Sequence, residues 1–268
     1  IRTRAKDAAY AFTDAMFVAR SARWDGVTKR FESARLERLA GLQRLPWRTH
    51  ARPNVLVLGA GAGFGVAIAL QQGSERVRAV EGNHETVAFA RRLAAENGRV
   101  FARPEVQVEV AEGRRFVHGD ADRYDLITLA LVETSPAVLR GRSHVHARLL
   151  TVEAITGYLD HLKADGAIAI VHNAPDLAGR SVATALAALA ERGQSTTRQL
   201  VSISLPGVSP LENPFSHLLL ISNRPWRADE VRQLQLGARA LGASLDALSE
   251  RHEPHPPSDE RPFFFSRS

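Results

Sequence analysis

The stretch "NVLVLGAGAG", residues 54–63, decides the fold. Its first half is a short run of Val and Leu, bounded by Asn and Gly, and reads as a strand buried on both faces. It runs directly into a Gly-x-Gly-x-Gly loop and then into an apolar segment, 62–72, that reads as a helix. Such a junction has a physical purpose. Glycines reach backbone angles barred to other residues and let a ligand approach the main chain. The helix N-terminus that follows presents free N–H groups and the positive end of its dipole. Dinucleotide folds use these features in the spacing G-x-G-x-x-G, and here the third glycine of that frame falls on Phe64. The tighter loop suits a cofactor with an adenosine and a carboxylate better than one with a pyrophosphate, which makes an NAD-dependent oxidoreductase the weaker reading.

Outward from this loop, strands and helices alternate. "RVRAVEG" (76–82) is a second strand, followed by a helix over 85–96. "EVQVEVAEG" (105–113) is a third and "YDLITLAL" (124–131) a fourth. A helix over 149–162 leads to a fifth strand, "GAIAIVHN" (166–173). This alternation predicts a parallel sheet with helices on both faces. After a helix over 177–192, "RQLVSISL" (198–205) and "SHLLLISN" (216–223) follow one another with no helix between them, which predicts an antiparallel hairpin. A helix over 228–241 and an extended tail complete the chain. The expected fold is therefore α/β, a Rossmann-like class I methyltransferase fold with a mostly parallel seven-stranded sheet and a C-terminal antiparallel hairpin.

Residues 1–50 read as two helices. The first covers 5–20, with Ala8, Phe12, Ala15, Met16 and Ala19 at helical spacing. The second covers 29–45, with Phe31, Ala34, Leu36, Leu39 and Leu42 near one side. The division expected is an N-terminal helical segment, 1–50, acting as lid or interface, and a Rossmann-like cofactor domain, 51–268, with a docked C-terminal tail. In that tail Phe263–Phe265 are too apolar to hang in water, and Asp259, Glu260 and Arg261 read as a local charge network.

Composition narrows the function classes. The chain has 268 residues, 44% of them hydrophobic, and no cysteine, so disulfides, thiolate metal sites and a Cys nucleophile are excluded. The net charge is +6, but it is spread as arginine with no basic run interleaved with aromatics, and nucleic acid is not an expected partner. No stretch approaches the roughly 20 apolar residues that span a bilayer. A cytoplasmic location is expected; an upstream membrane segment stays open, since residue 1 is Ile rather than an initiator Met.

The cofactor reading gains two acidic partners. Glu81 ends the second strand, where a carboxylate can accept both ribose hydroxyls. Glu112, in "AEGRRF" after the third strand, is placed near an adenine amino group. On these and on "RYDLITLALVET", "LLTVEAITGYLDHLKADGAIAI" and "PPSDERPFFF", the chain resembles the spermidine synthase family, in its divergent bacterial branch within the methyltransferase superfamily. The resemblance runs from about Pro53 to Phe265; residues 1–50 do not resemble the β-hairpin region of true spermidine synthases. It implies S-adenosylmethionine, or a derivative such as its decarboxylated form, bound by Gly59, Ala60, Gly61, Gly63, Glu81, Gly82, Asn83, Glu112, Gly113 and Ala130. It also implies a small-molecule acceptor and a homodimer.

Two departures bear on chemistry. The family places one Asp in the glycine loop, where this chain has Ala62, and a catalytic Asp at the end of strand four, where this chain has Ala130. Glu133, just beyond, becomes the candidate base or amine-orienting carboxylate. His144 and His146 follow as candidates for proton handling; with no third ligand identifiable, no metal is expected. His172, at the end of strand five, reads as a structural histidine. The expected function is transfer of a methyl or aminopropyl-type group to a small acceptor, or within the donor itself. The alternative is a non-catalytic module that keeps the pocket and has lost the chemistry.

Overall fold

The computed structural model describes residues 2–4, 8–13, 16–130, 147–194, 197–208, 212–248 and 256–260. The segment expected as a helix over 5–20 is instead a three-stranded antiparallel sheet, β1 (Arg2–Arg4), β2 (Ala8–Thr13) and β3 (Met16–Ala22). Thr13 pairs with Met16, so β2 and β3 form a tight hairpin. The alanines at helical spacing misled because they carry little apolar area, while Tyr10, Phe12, Phe17 and Val18 favour extended backbone. Pairing with neighbours overrides the alanines' helix propensity. The second expected helix is shorter than its pattern: α1 covers Ala34–Ala40, capped by Ser33, and a 3-10 helix covers Leu42–Arg48 with Pro46 inside it. Proline removes an N–H that an α-helix would need there.

The main sheet follows from nearly continuous apolar strands. Its elements in chain order are β4 (Asn54–Leu58), α2 (Phe64–Gln71), β5 (Arg76–Glu81), α3 (His84–Arg92), β6 (Val106–Val110), α4 (Gly113–Gly119), β7 (Tyr124–Ala130), α5 (Val152–Asp160), β8 (Leu162–His172), α6 (Pro175–Glu191), β9 (Leu200–Ser204), β10 (His217–Ser222), α7 (Ala228–Ala240) and β11 (Ser244–Leu245). The strand order is β11-β9-β10-β8-β7-β4-β5-β6. β4 to β8 run parallel, and β10, β9 and β11 are antiparallel. The short β11 makes eight strands where seven were expected. Order reverses at β4, which has β5 on one side and β7 on the other, and such a switch point opens a crevice at the strands' carboxyl ends.

Alternate residues of each strand feed two cores. Leu56, Leu58, Ile127, Leu129, Ile168 and Ile170 face α5 and α6, together with Val117 of α4. Val55, Val57, Leu126, Ala167 and Ala169 face α1, α2, α3 and α7. At the rim opposite the crevice, Asp125 accepts from the Asn54 N–H and from Lys163 Nζ, both at 2.8 Å, and so ties the starts of β4, β7 and β8. No helix among the described residues is long and apolar enough to cross a membrane.

Helix α4 was not legible as such. Residues 105–113 read as one strand, but β6 stops at Val110 and Gly113 is the first residue of α4. Seven residues containing two arginines and two glycines give too short a pattern to show helical period.

Leu58 is completely buried immediately before the glycine loop. Leu58→Ala is expected to lower stability by about 2–5 kcal/mol, through lost transfer energy and a residual cavity. Urea unfolding checks this, with the midpoint moving and the slope unchanged.

Candidate functional site

The carboxyl ends of β4, β5, β6 and β7 lie side by side, as their registers Leu58↔Val80, Glu81↔Val110 and Leu58↔Leu129 require. The glycine loop leaves β4 with φ of 72° at Gly59, 55° at Gly61 and 93° at Gly63. Positive φ at three alternate positions is a conformation that side-chain-bearing residues resist. Both Gly59 N–H (3.0 Å) and Ala60 N–H (2.9 Å) donate to the Val80 carbonyl, which locks the loop to β5. Gly63 serves as N-cap of α2, and no side chain caps that helix. A Cβ on Gly63 would stand 2.6 Å from Val100 Cγ2, so the segment before β6 closes over the loop. Gly59 is exposed and Gly61 half-buried, while Ala60, Ala62 and Gly63 are buried. The loop thus turns its first two glycines outward.

Glu81 ends β5 as expected, and its carboxylate holds the rim together. Oε2 accepts from Gly61 N–H at 2.8 Å and Oε1 from Asn83 N–H at 2.9 Å. A carboxylate offers about four lone-pair positions, so two remain for hydroxyl donors. Asn83 in turn caps α3 by accepting from Glu85 N–H. Gly82 is exposed, with room for a Cβ 3.8 Å from the Ala111 carbonyl. Glu112 repeats the pattern one strand over: it caps α4, accepting from Arg114 N–H (3.0 Å) and Arg115 N–H (2.8 Å). Gly113 packs so closely on Leu149 that a Cβ there would meet Leu149 Cδ2 at 2.9 Å. Two carboxylates with open lone pairs, an outward-turned glycine backbone and an uncapped helix start fit an adenosyl group.

The remaining expected residues divide. Ala62 is 1% exposed and sits in the core, and Ala130 is half-buried against the same core. Phe64 is buried and stacks on Phe31 with ring centroids 5.3 Å apart. It therefore belongs to the packing rather than to the crevice. His172 is completely buried and pairs with His217 across the β8–β10 ladder. Glu133, His144 and His146 lie outside the described residues.

The reading of the residues missed a further connection. Arg114, in the first turn of α4, reaches Asp259 of the tail with both terminal nitrogens, at 2.6 and 2.8 Å. Only the pairing of residues far apart in sequence reveals it, since Arg114 alone looks like a surface arginine. The hydrogen bonds from Arg114 hold the Asp259 carboxyl below its ordinary range. Its contribution to stability is therefore complete at neutral pH and is lost as pH falls through that lowered value.

A scan against protein-family models finds no match, and neither does a search of the curated proteins. Solved structures do match. A probable spermidine synthase from Corynebacterium glutamicum superposes with a TM-score of 0.61 at 14% identity, covering 94% of this chain and 95% of its own. The fold is that of the spermidine synthases. A spermidine synthase in complex with the transition state analogue AdoDATO gives 0.57 at 15% identity, over 94% of this chain and 81% of its own. The spermidine synthase from Thermotoga maritima gives 0.56 at 13%, over 94% and 80%.

Gly63→Ala is expected to cost about 1–3 kcal/mol, because the left-handed φ and the Val100 clash both act on the new Cβ. Gly82→Ala, with open space and no such φ, is expected to melt within a degree or two of wild type. Thermal unfolding of the two variants separates loop strain from a general effect of added methyl groups.

Proposed function

We propose that this chain is an S-adenosylmethionine-dependent transferase, moving a methyl or aminopropyl-type group to a small acceptor or within the donor. The observation that carries the reading is Glu81, a carboxylate at the end of β5, next to the switch-point strand β4, whose bonds to Gly61 and Asn83 leave it oriented and half open. The likeness in fold to the spermidine synthases supports it. A bound donor of this class supplies an electrophilic carbon on a sulfonium whose leaving thioether is neutral. The chain's own task is then to hold, orient and exclude water, and acid–base help is a smaller requirement.

Within this reading Glu81 takes the ribose hydroxyls and Glu112 the adenine edge, with Gly59, Ala60, Gly61, Gly63, Gly82, Asn83, Gly113 and Ala130 as the surrounding wall. Glu133 is the proposed base or amine-orienting group, with His144 and His146 moving the proton onward. The absence of the family's carboxylates at Ala62 and Ala130 argues against ordinary spermidine formation, and leaves the decarboxylated donor as the less favoured form. The same two alanines favour one competing reading, a binding module without turnover. Assembly as a homodimer, with residues 1–50 as lid or interface, belongs to the proposal.

Melting curves with S-adenosylmethionine, its decarboxylated form, methylthioadenosine and NAD test the pocket. The expected result is stabilisation by the adenosyl-sulfonium ligands, absent in Glu81→Ala and absent with NAD. Stabilisation by NAD alone overturns the reading. The nucleoside product then sorts the chemistry: S-adenosylhomocysteine marks methyl transfer and methylthioadenosine the aminopropyl class. Glu133→Ala is expected to lower kcat by about 10²-fold, the usual size of a general-base contribution. Binding with no nucleoside product from any acceptor supports the module instead.

A further inference from the structure

Helix α4 is only seven residues long, and a helix of that length has little stability of its own. Its charge arrangement makes matters worse. Arg114 stands in the first turn, at the positive end of the helix dipole, where a cation is disfavoured. Among the described residues, the one carboxylate that pairs with its guanidinium comes from the tail. The tail at 256–260 docks on the first turn of α5: Val152 N–H donates to the Pro257 carbonyl, and Asp259 N–H to Glu153 Oε2, both at 2.9 Å. Pro257 is buried there. This places the Asp259 carboxylate between the two helix starts. It receives both terminal nitrogens of Arg114 and the hydroxyl of Thr151, the N-cap of α5, at 2.9 Å. A two-pronged arginine–carboxylate pair fixes direction as well as distance.

Arg114 is thereby held twice. Its guanidinium is held by the two oxygens of Asp259, with the Arg148 carbonyl and Thr151 Oγ1 also accepting from it at 3.1 Å, and its backbone N–H is held by Glu112. The Glu112 carboxylate, on the wall assigned to the adenine, is oriented by the amides of the turn that the tail immobilises. We propose that Asp259 is a positioning residue of the cofactor site, and that the Asp259–Arg114 pair latches the first turn of α4 so that Glu112 faces the adenosyl ligand. The inference rests on the cofactor reading for its ligand, but the ordering of α4 by the tail does not. Neutralising Asp259 leaves a half-buried arginine at the wrong end of a helix dipole. The turn frays, and Glu112 loses the two amides that aim it.

The test uses the full chain with Asp259→Asn, Arg114→Gln and the double variant. Asp165→Asn serves as control; Asp165 pairs with Arg224 and Arg227, away from the crevice. Calorimetry gives Kd for S-adenosylmethionine, and hydrogen exchange by NMR follows the amides of Arg114 and Arg115. Asp259→Asn is expected to weaken binding on the order of tenfold, as loss of a supporting shell does elsewhere, and to speed exchange at both amides. Because one pair carries the effect, the double variant is expected to bind no worse than either single. The control leaves both quantities at wild-type values. Unchanged exchange in Asp259→Asn overturns the latch. Faster exchange with unchanged Kd overturns the positioning role. Wild-type protein that binds no adenosyl ligand overturns the cofactor reading and the positioning role with it, while exchange still decides whether the tail orders α4. Arg114→Lys, which keeps the charge and loses the fork, gives the same reading if Asp259→Asn does not fold.

Discussion

Two backbone N–H groups, those of Gly61 and Asn83, meet on the single carboxylate of Glu81. The geometry of the whole crevice depends on that convergence. A loop with positive φ at Gly59, Gly61 and Gly63 has lost the restriction that side chains impose, and its glycines lose more entropy on ordering than other residues do. Something must hold it. The Val80 carbonyl holds its first amides and Glu81 holds the next, so β5 supplies both restraints. The acid that reads as a ligand contact is thus also a structural member. A ligand's hydroxyls would meet a carboxylate already aimed, and little further ordering would be needed on binding.

What the sequence made legible were the features whose causes are local. Buried parallel strands announce themselves as short runs of Val, Leu and Ile, and the acid and the glycines follow from where those runs end. The N-terminal sheet was misread because helical spacing and extended propensity coexist in "AAYAFTDAMFVARSA" (8–22), and only pairing between strands decides between them. Helix α4 escaped because its stability does not come from its own seven residues. Its cap Glu112 was recognised, but as a ligand contact rather than as the start of a helix. The Arg114–Asp259 pair was illegible for a different reason: its partners are 145 positions apart, and Asp259 read as part of a charge network with its own neighbours Glu260 and Arg261.

The position at Ala62, where the resemblance leads one to expect a carboxylate, is instructive in physical terms. Ala62 is packed in the core beside Phe64, which stacks on Phe31 and lies 5.8 Å from the ring of Phe215. An ionised group in that place would have to be desolvated without a partner, at a cost of several kcal/mol. The apolar character of the loop's inner side is therefore consistent over several residues rather than confined to one substitution.

The proposed latch at Asp259 has a consequence for biosynthesis. Translation runs from the N-terminus at roughly 5–20 residues per second, and Asp259 is made 145 residues after Arg114. The nascent chain therefore spends on the order of 7–30 s with Glu112 and Arg114 already synthesised and their partner in the tail still to come. Under that proposal the crevice is completed late, by a piece of chain that belongs to none of the strands around it.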